Sequence, residues 1–231
     1  MNKQETNRVD PLHKQPEAGH MAELISPIDP PEAYAPPAQD RIDPKLMHPF
    51  LRQFTEEHQV FLENIKDFED AILTVQKSGF SKELNQRLQH FFHFFESDFM
   101  EHSRREEFAL FPKLNERLIE SGEHGRAEVV TTAVDLMVDE HVQALQIAAV
   151  VVNFLGLVFR LPDENSKLIV LDAALEKGKS LVEILRLHIF REDNIVFSFA
   201  HRLLTTDEFE KIETSLKMKT RLFSRMYRIS L

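Results

Sequence analysis

The sequence predicts an all-α protein: an up-down-up-down four-helix bundle with a Pro-rich flexible N-terminal extension and a short extra C-terminal helix. Apolar residues recur at three- and four-residue spacing through most of the chain, which is the signature of helices with one buried face. Only six glycines occur in 231 residues, too few for a loop-rich or all-β architecture. Four long periodic segments are separated by short connections, and helices so joined pack as antiparallel neighbours.

Residues 1–42 hold most of the prolines, as in SPIDPPEAYAPPAQD, with few large aliphatics. Such a segment buries too little surface to offset its ordering entropy, so a loosely draped extension is expected. Residues 43–204 form the expected bundle. Its first helix places Leu51, Phe54, His58, Phe61, Leu62, Ile65, Phe68 and Ile72 on one face and stops at Gly79. The second starts after Ser81, meets a kink or break near Pro112, and ends at Ser121-Gly122. The third is expected from about Gly125 to Leu161, where Pro162 ends it, and the fourth from about Asp163 to Leu204. Residues 205–231 open at Thr206-Asp207-Glu208 and carry a basic helix with Ile212, Leu216, Leu222, Phe223 and Ile229 interspersed. Docking of this helix across the bundle is the first reading, and contact with an acidic partner or nucleic acid the second.

Composition narrows the chemistry. The absence of cysteine removes disulfides, thiolate metal sites and Cys nucleophiles, so any metal must be held by nitrogen and oxygen. A net charge of -10 gives the main body no electrostatic reason to bind nucleic acid or an anionic membrane. The start, MNKQETNRVDPLHK, lacks the apolar run of a signal peptide. The longest apolar stretch, Ile147 to Phe159, is short of the roughly 18 residues of a spanning helix and reads as a buried core helix. A soluble, cytoplasmic protein is expected, as a monomer or dimer.

One pattern is written twice. HSRREEFALFP begins at His102 and HIFREDNIVFS at His188; each reads His, two residues, Arg, Glu, then a second acid. TEEHQVFL around His58 likewise matches VDEHVQAL around His141. The chain reads as two copies of one helical hairpin, related by an approximate two-fold axis. His102 and Glu106 are four residues apart, hence about 40° apart around a helix and one turn along it, so both can point at one place. His188 and Glu192 repeat that geometry.

Four imidazoles and two carboxylates in a Phe-rich interior need a counter-charge. A dinuclear site supplies one: two glutamates bridge two divalent ions and two histidines cap each, which suits iron or manganese and leaves positions open for dioxygen, nitric oxide or peroxide.

The order H…HxxxE…H…HxxxE, with LFP after the second-helix motif, resembles the hemerythrin-like HHE cation-binding domain over about residues 44–204. The resemblance implies a hemerythrin-like four-helix bundle and a non-haem, carboxylate-bridged centre of two iron ions, with manganese or zinc as substitutes. Carried over, the metal ligands are His58, His102, Glu106, His141, His188 and Glu192. Oxygen-carrying hemerythrins have a fifth His and a second His on the third helix, where this chain has Met137 and Leu145. The ligand set is closest to that of the iron-sulfur cluster repair type di-iron proteins, whose separate cysteine-bearing N-terminal domain this chain lacks.

Three functions follow from the resemblance: binding or sensing of dioxygen, nitric oxide or peroxide in stress response; an oxidoreductase that decomposes peroxide or reduces nitric oxide through an unidentified redox partner; and an iron donor in cluster repair. Asp98, one turn before His102, is a candidate partner or substitute ligand, with a solvated or inter-helix hydrogen-bonding role as the first reading. Glu57 and Glu140 could orient imidazoles, but solvent-facing charge is the default for both. Arg105 and Arg191 are expected in inter-helix or surface ion pairs. His48, His90, His93, His124 and His201 are expected on the surface or around the site rather than in it.

Overall fold

A computed structural model describes residues 42–43, 45–125 and 130–227, with side chains as far as 218, all within one compact unit, Pro36–Leu231. The Pro-rich extension lies outside the described residues, as do the side chains of Leu222, Phe223 and Ile229. The described residues are all-helical, without a strand, and form four rods plus a C-terminal helix.

The first rod is α1, Pro49–Ser78. The His48 ring caps it, Nδ1 accepting from the Phe50 amide, and Gly79 ends it with φ 74°, a conformation costly for any side chain. The second rod is interrupted twice: α2 Lys82–Phe94, a π turn π1 Phe95–Phe99, α3 Met100–Arg105, π2 Glu106–Leu110, and α4 Phe111–Ser121. Ser81 caps its start through the Leu84 amide, and Gly122, with φ 81°, closes its end. The break expected at Pro112 is instead π2. Pro112 has no N–H for an ordinary helical bond, and the wider turn just before it carries the Phe111 amide to Glu106 O while the rod continues.

The third rod is α5, Ala133–Val158. It starts eight residues later than the sequence suggested. A capping box between Thr132 and Asp135 sets the start, and Gly125 N donates to Thr131 O across the preceding loop. The fourth rod comprises α6 Glu164–Arg191, capped by Asp163, then π3 Glu192–Val196 and α7 Phe197–Leu203. α8, Thr206–Tyr227, follows.

Cross-rod pairs show the antiparallel order. Asp67 meets Arg87 and Glu57 meets His102, so the first rod descends as the second climbs; Glu69 meets Arg186 and His58 meets Asp193 in the same sense against the fourth. Close approach of the first and fourth rods requires Gly178, where a Cβ would come within 2.5 Å of Ile72 Cδ1.

The core is two apolar clusters separated by one polar layer. One contains Phe61, Ile65, Phe68, Phe91, Phe95, Phe99 and Ala144; the other contains Phe50, Phe54, Leu110, Phe111, Met137, Val196 and Phe197. On every rod a ligand-type residue sits where one cluster gives way to the other. α8 closes the second cluster through buried Phe209 and Ile212, with His48 stacked on Phe209 at 4.2 Å.

The apolar stretch of α5 is buried on one face only. Ala144, Ala148 and Val151 point inward, whereas Val142, Leu145, Val152 and Phe159 are exposed. By length and composition this helix could cross a membrane, yet it also delivers Glu140 and His141 to the polar layer.

Candidate metal centre

Six side chains converge in the polar layer: His58 from α1, His102 from α3, Glu106 from the start of π2, His141 from α5, His188 from α6 and Glu192 from the start of π3. All are buried. They form two sets, His58, His102, Glu106 and Glu192, and His141, His188, Glu106 and Glu192, each with ligand-type atoms within 4.8 Å of one another.

Both glutamates belong to both sets. Glu106 turns Oε1 toward His102 Nε2 at 3.4 Å and Oε2 toward His141 Nε2 at 3.6 Å. Glu192 turns Oε2 toward His58 Nε2 and Oε1 toward His188 Nε2, both at 3.2 Å. Each carboxylate therefore spans the space between the two histidine pairs.

An acid holds every imidazole from behind. His58 Nδ1 donates to Asp193 at 2.7 Å, His102 Nδ1 to Glu57 at 2.7 Å, His141 Nδ1 to Glu107 at 2.7 Å and His188 Nδ1 to Glu140 at 3.1 Å. With Nδ1 committed as donor, Nε2 of each ring offers its lone pair inward. Glu57 is held in turn by Arg105, and Glu140 by Arg191. Arg105 also lies over the Phe54 ring, 5.1 Å from its centroid.

The arrangement fits a cation. Nε2 of His58 and His102 are 3.0 Å apart, as are those of His141 and His188, and two protons cannot point into one such gap. All four carboxylate oxygens of Glu106 and Glu192 are buried without a hydrogen-bond partner. Leaving them so would cost several kcal/mol per ion. A positive charge between them satisfies every orphaned atom with nitrogen and oxygen donors suited to borderline and hard metals.

Electrostatics set His141 apart: against their burial, His102 and His188 are raised, His102 by Glu106 and His188 by Glu192, as is His58. Burial opposes a charge on His58, but Asp193 and Glu192 overcome it and push its pKa up to about 10. His141 is lowered, by burial and by neighbouring His188. Glu57 is pulled down to about 2: burial opposes this, and the hydrogen bonds from His102 and Arg105 outweigh it.

Several outer residues differ from the sequence reading. Glu57 and Glu140 are not solvent-facing charges but the acceptors that orient two rings, because their helix positions, one before His58 and His141, face the neighbouring rod. Asp98, by contrast, is exposed, as its solvated reading expected, and accepts from Ser97 Oγ at 2.5 Å. π1 turns it outward and puts Phe99 on the inner face, its ring 6.1 Å from both His141 and His188. Glu107 and Asp193, which complete the set of acids, are the second acids of the two repeated motifs; that repetition was the signal that could have found them. Arg105 and Arg191 form the expected inter-helix pairs.

A four-helix bundle with a buried His/Glu cluster of this kind defines a metal-binding protein. Residues 49–200 match the hemerythrin HHE cation binding domain family, and the chain belongs to it. Comparison with curated proteins and with solved structures gave no match.

Proposed function

We propose that the protein is a non-haem di-iron protein that binds or reacts with dioxygen, nitric oxide or peroxide. The observation that supports it is the double use of Glu106 and Glu192, whose paired oxygens serve two histidine pairs at once. In this reading His58 and His102 hold one iron, His141 and His188 the other, and the two carboxylates bridge them. Bound there, iron supplies reversible one-electron chemistry and, with four protein donors per ion, open positions for a small ligand.

The surrounding residues do the rest. Glu57, Glu107, Glu140 and Asp193 draw on the Nδ1 protons and strengthen the Nε2 donors. Phe54, Phe61, Phe99, Phe111 and Phe197 line the layer, keep water scarce and favour apolar diatomics over hydrated anions.

A second reading, turnover as an oxidoreductase, draws support from one feature. Glu57, which holds His102, lines a surface groove of about 520 Å³ together with His90, His93, Asp98 and Glu101, so titratable groups surround the approach to that ring from solvent. Proton delivery along it serves reduction of peroxide or nitric oxide. Iron donation for iron-sulfur cluster repair rests on the ligand-set resemblance alone.

The test is metal content per chain, with ample iron, for wild type beside Glu106→Ala and Glu192→Ala, followed by spectra under dioxygen, nitric oxide and peroxide. About two irons in wild type, falling sharply in both variants, supports the reading; metal indifferent to either glutamate refutes it. Asp98→Asn, which leaves the metal layer untouched, should slow turnover in an enzyme and leave a pure binder unchanged.

A further inference from the structure

The outward face of α5 has no function in the bundle. From Val142 to Phe159 it carries no charged residue, in a chain of net charge -10. Val142 is 50 % exposed, Leu145 46 %, Val152 46 % and Phe159 62 %. With exposed Ala149 and Gly156 these residues recur at alternating spacings of three and four, which is the heptad seam of a coiled coil on the solvent side of a helix.

Gly156 sharpens the point. A glycine inside a helix costs about 1 kcal/mol relative to alanine. Among the described residues nothing requires it, since a Cβ there would meet only the Arg160 side chain at 3.8 Å. Beside it lies a groove of about 590 Å³ whose apolar wall is Leu88, Phe92, Val152, Leu155 and Phe159 and whose polar edge includes His93 and Glu96.

We propose that this face is the interface of a homodimer, in which α5 packs antiparallel against α5 of a second copy. Antiparallel pairing about a two-fold axis beside Val150 sets Leu145 against Gly156, Val142 against Phe159 and Ala149 against Val152, each layer matching a larger side chain to a smaller one. Leu145 of one copy enters the groove at Gly156 of the other, a knob into a hole. Val142–Phe159 brings no charge of its own to the closure, and the exposed Glu96 and Arg160 flank the groove; a two-fold interface needs this kind of self-complementary patch. The exposed apolar side chains present roughly 300–400 Å² of the roughly 800 Å² per partner of a standard interface, which makes the dimer a weak, concentration-dependent one.

The experiment is sedimentation equilibrium of the full iron-loaded chain over a wide concentration range, beside Leu145→Glu and Val152→Glu. The expected result is a wild-type mass that rises with concentration toward twice 26.9 kDa. Both variants should keep helix content and iron while the dissociation constant rises by about 100-fold or more, as burying unpaired carboxylates demands. Because the chain has no cysteine, register is read independently. Leu145→Cys and Gly156→Cys chains are mixed and oxidised with diamide, which takes the two thiol protons and two electrons as the disulfide forms. A mixed disulfide, without either self-paired one, supports the antiparallel seam. A wild-type monomer at all concentrations, a dimer indifferent to both glutamate variants, or a monomer that uses this face on lipid vesicles or another protein would each overturn the proposal.

Discussion

Asp193, on the fourth rod, accepts the Nδ1 proton of His58, on the first, at 2.7 Å. Its counterpart joins the second rod to the third, Glu107 to His141, at the same distance. An acid behind an imidazole fixes the tautomer and raises donor strength, and losing it typically costs 10–100-fold in metal affinity. Asp193→Asn should therefore weaken iron retention by about that factor in chelator competition, with helix content unchanged. Retention equal to wild type would mean that the contact plays no part in the centre.

Phe68 is fully buried and stacked on Phe91 at 3.8 Å, in the apolar cluster beyond Phe61. Phe68→Ala should cost about 3–5 kcal/mol of unfolding free energy by denaturant titration. Iron per chain should stay at the wild-type value in the folded fraction, since no ligand-type residue touches the ring stack.

Thr132 starts α5, accepting from the Val134 amide while Asp135 accepts from the Thr132 amide. Thr132→Ala removes half of the capping box and should destabilise the fold by about 0.5–2 kcal/mol. An unchanged melting curve would show that the loop before α5 holds the helix start by itself.

Docking of α8 should depend on pH through Glu208. The Thr205 backbone and the Arg117 side chain together outweigh burial and hold its carboxyl down at about 2, against an ordinary 4.5. A depressed folded pKa means that the stabilisation is complete above the ordinary value and is lost as pH falls from about 4.5 toward 2. Amide protection of residues 206–218, taken relative to the intrinsic exchange rate at each pH, should fall over that window in wild type. In Glu208→Gln protection should be low and nearly flat with pH; a wild-type profile in that variant would assign the anchor to Phe209 and Ile212 alone.

Much of the centre was legible because its ligands obey helical arithmetic. His102 with Glu106 and His188 with Glu192 face inward at a spacing of four, and the duplicated order separates them from solitary core histidines. Gly79, Ser81, Gly122 and Asp163 mark rod ends by conformational and capping preferences that act locally. The π turns were not legible, because nothing in EEFAL or EDNIV opposes an ordinary helix. They are visible only in the backbone, where the Phe111 and Phe197 amides reach back five residues to the carbonyls of Glu106 and Glu192. Glu57 and Glu140 were misjudged because a charge one position off a buried face reaches either solvent or the next rod, and only the neighbour's Nδ1 decides which.

The sharing of Glu106 and Glu192 between both histidine pairs also has a temporal side. Each hairpin supplies only three donors to its own pair and takes the fourth from the other hairpin, so neither half of the chain is a complete trap for a cation. During synthesis the first hairpin can close while Glu192 is still unmade, and an ion caught early would be held by three donors and exchange freely. In the proposed reading, tight capture would wait for the fourth rod to dock, so that metal loading would follow completion of the fold.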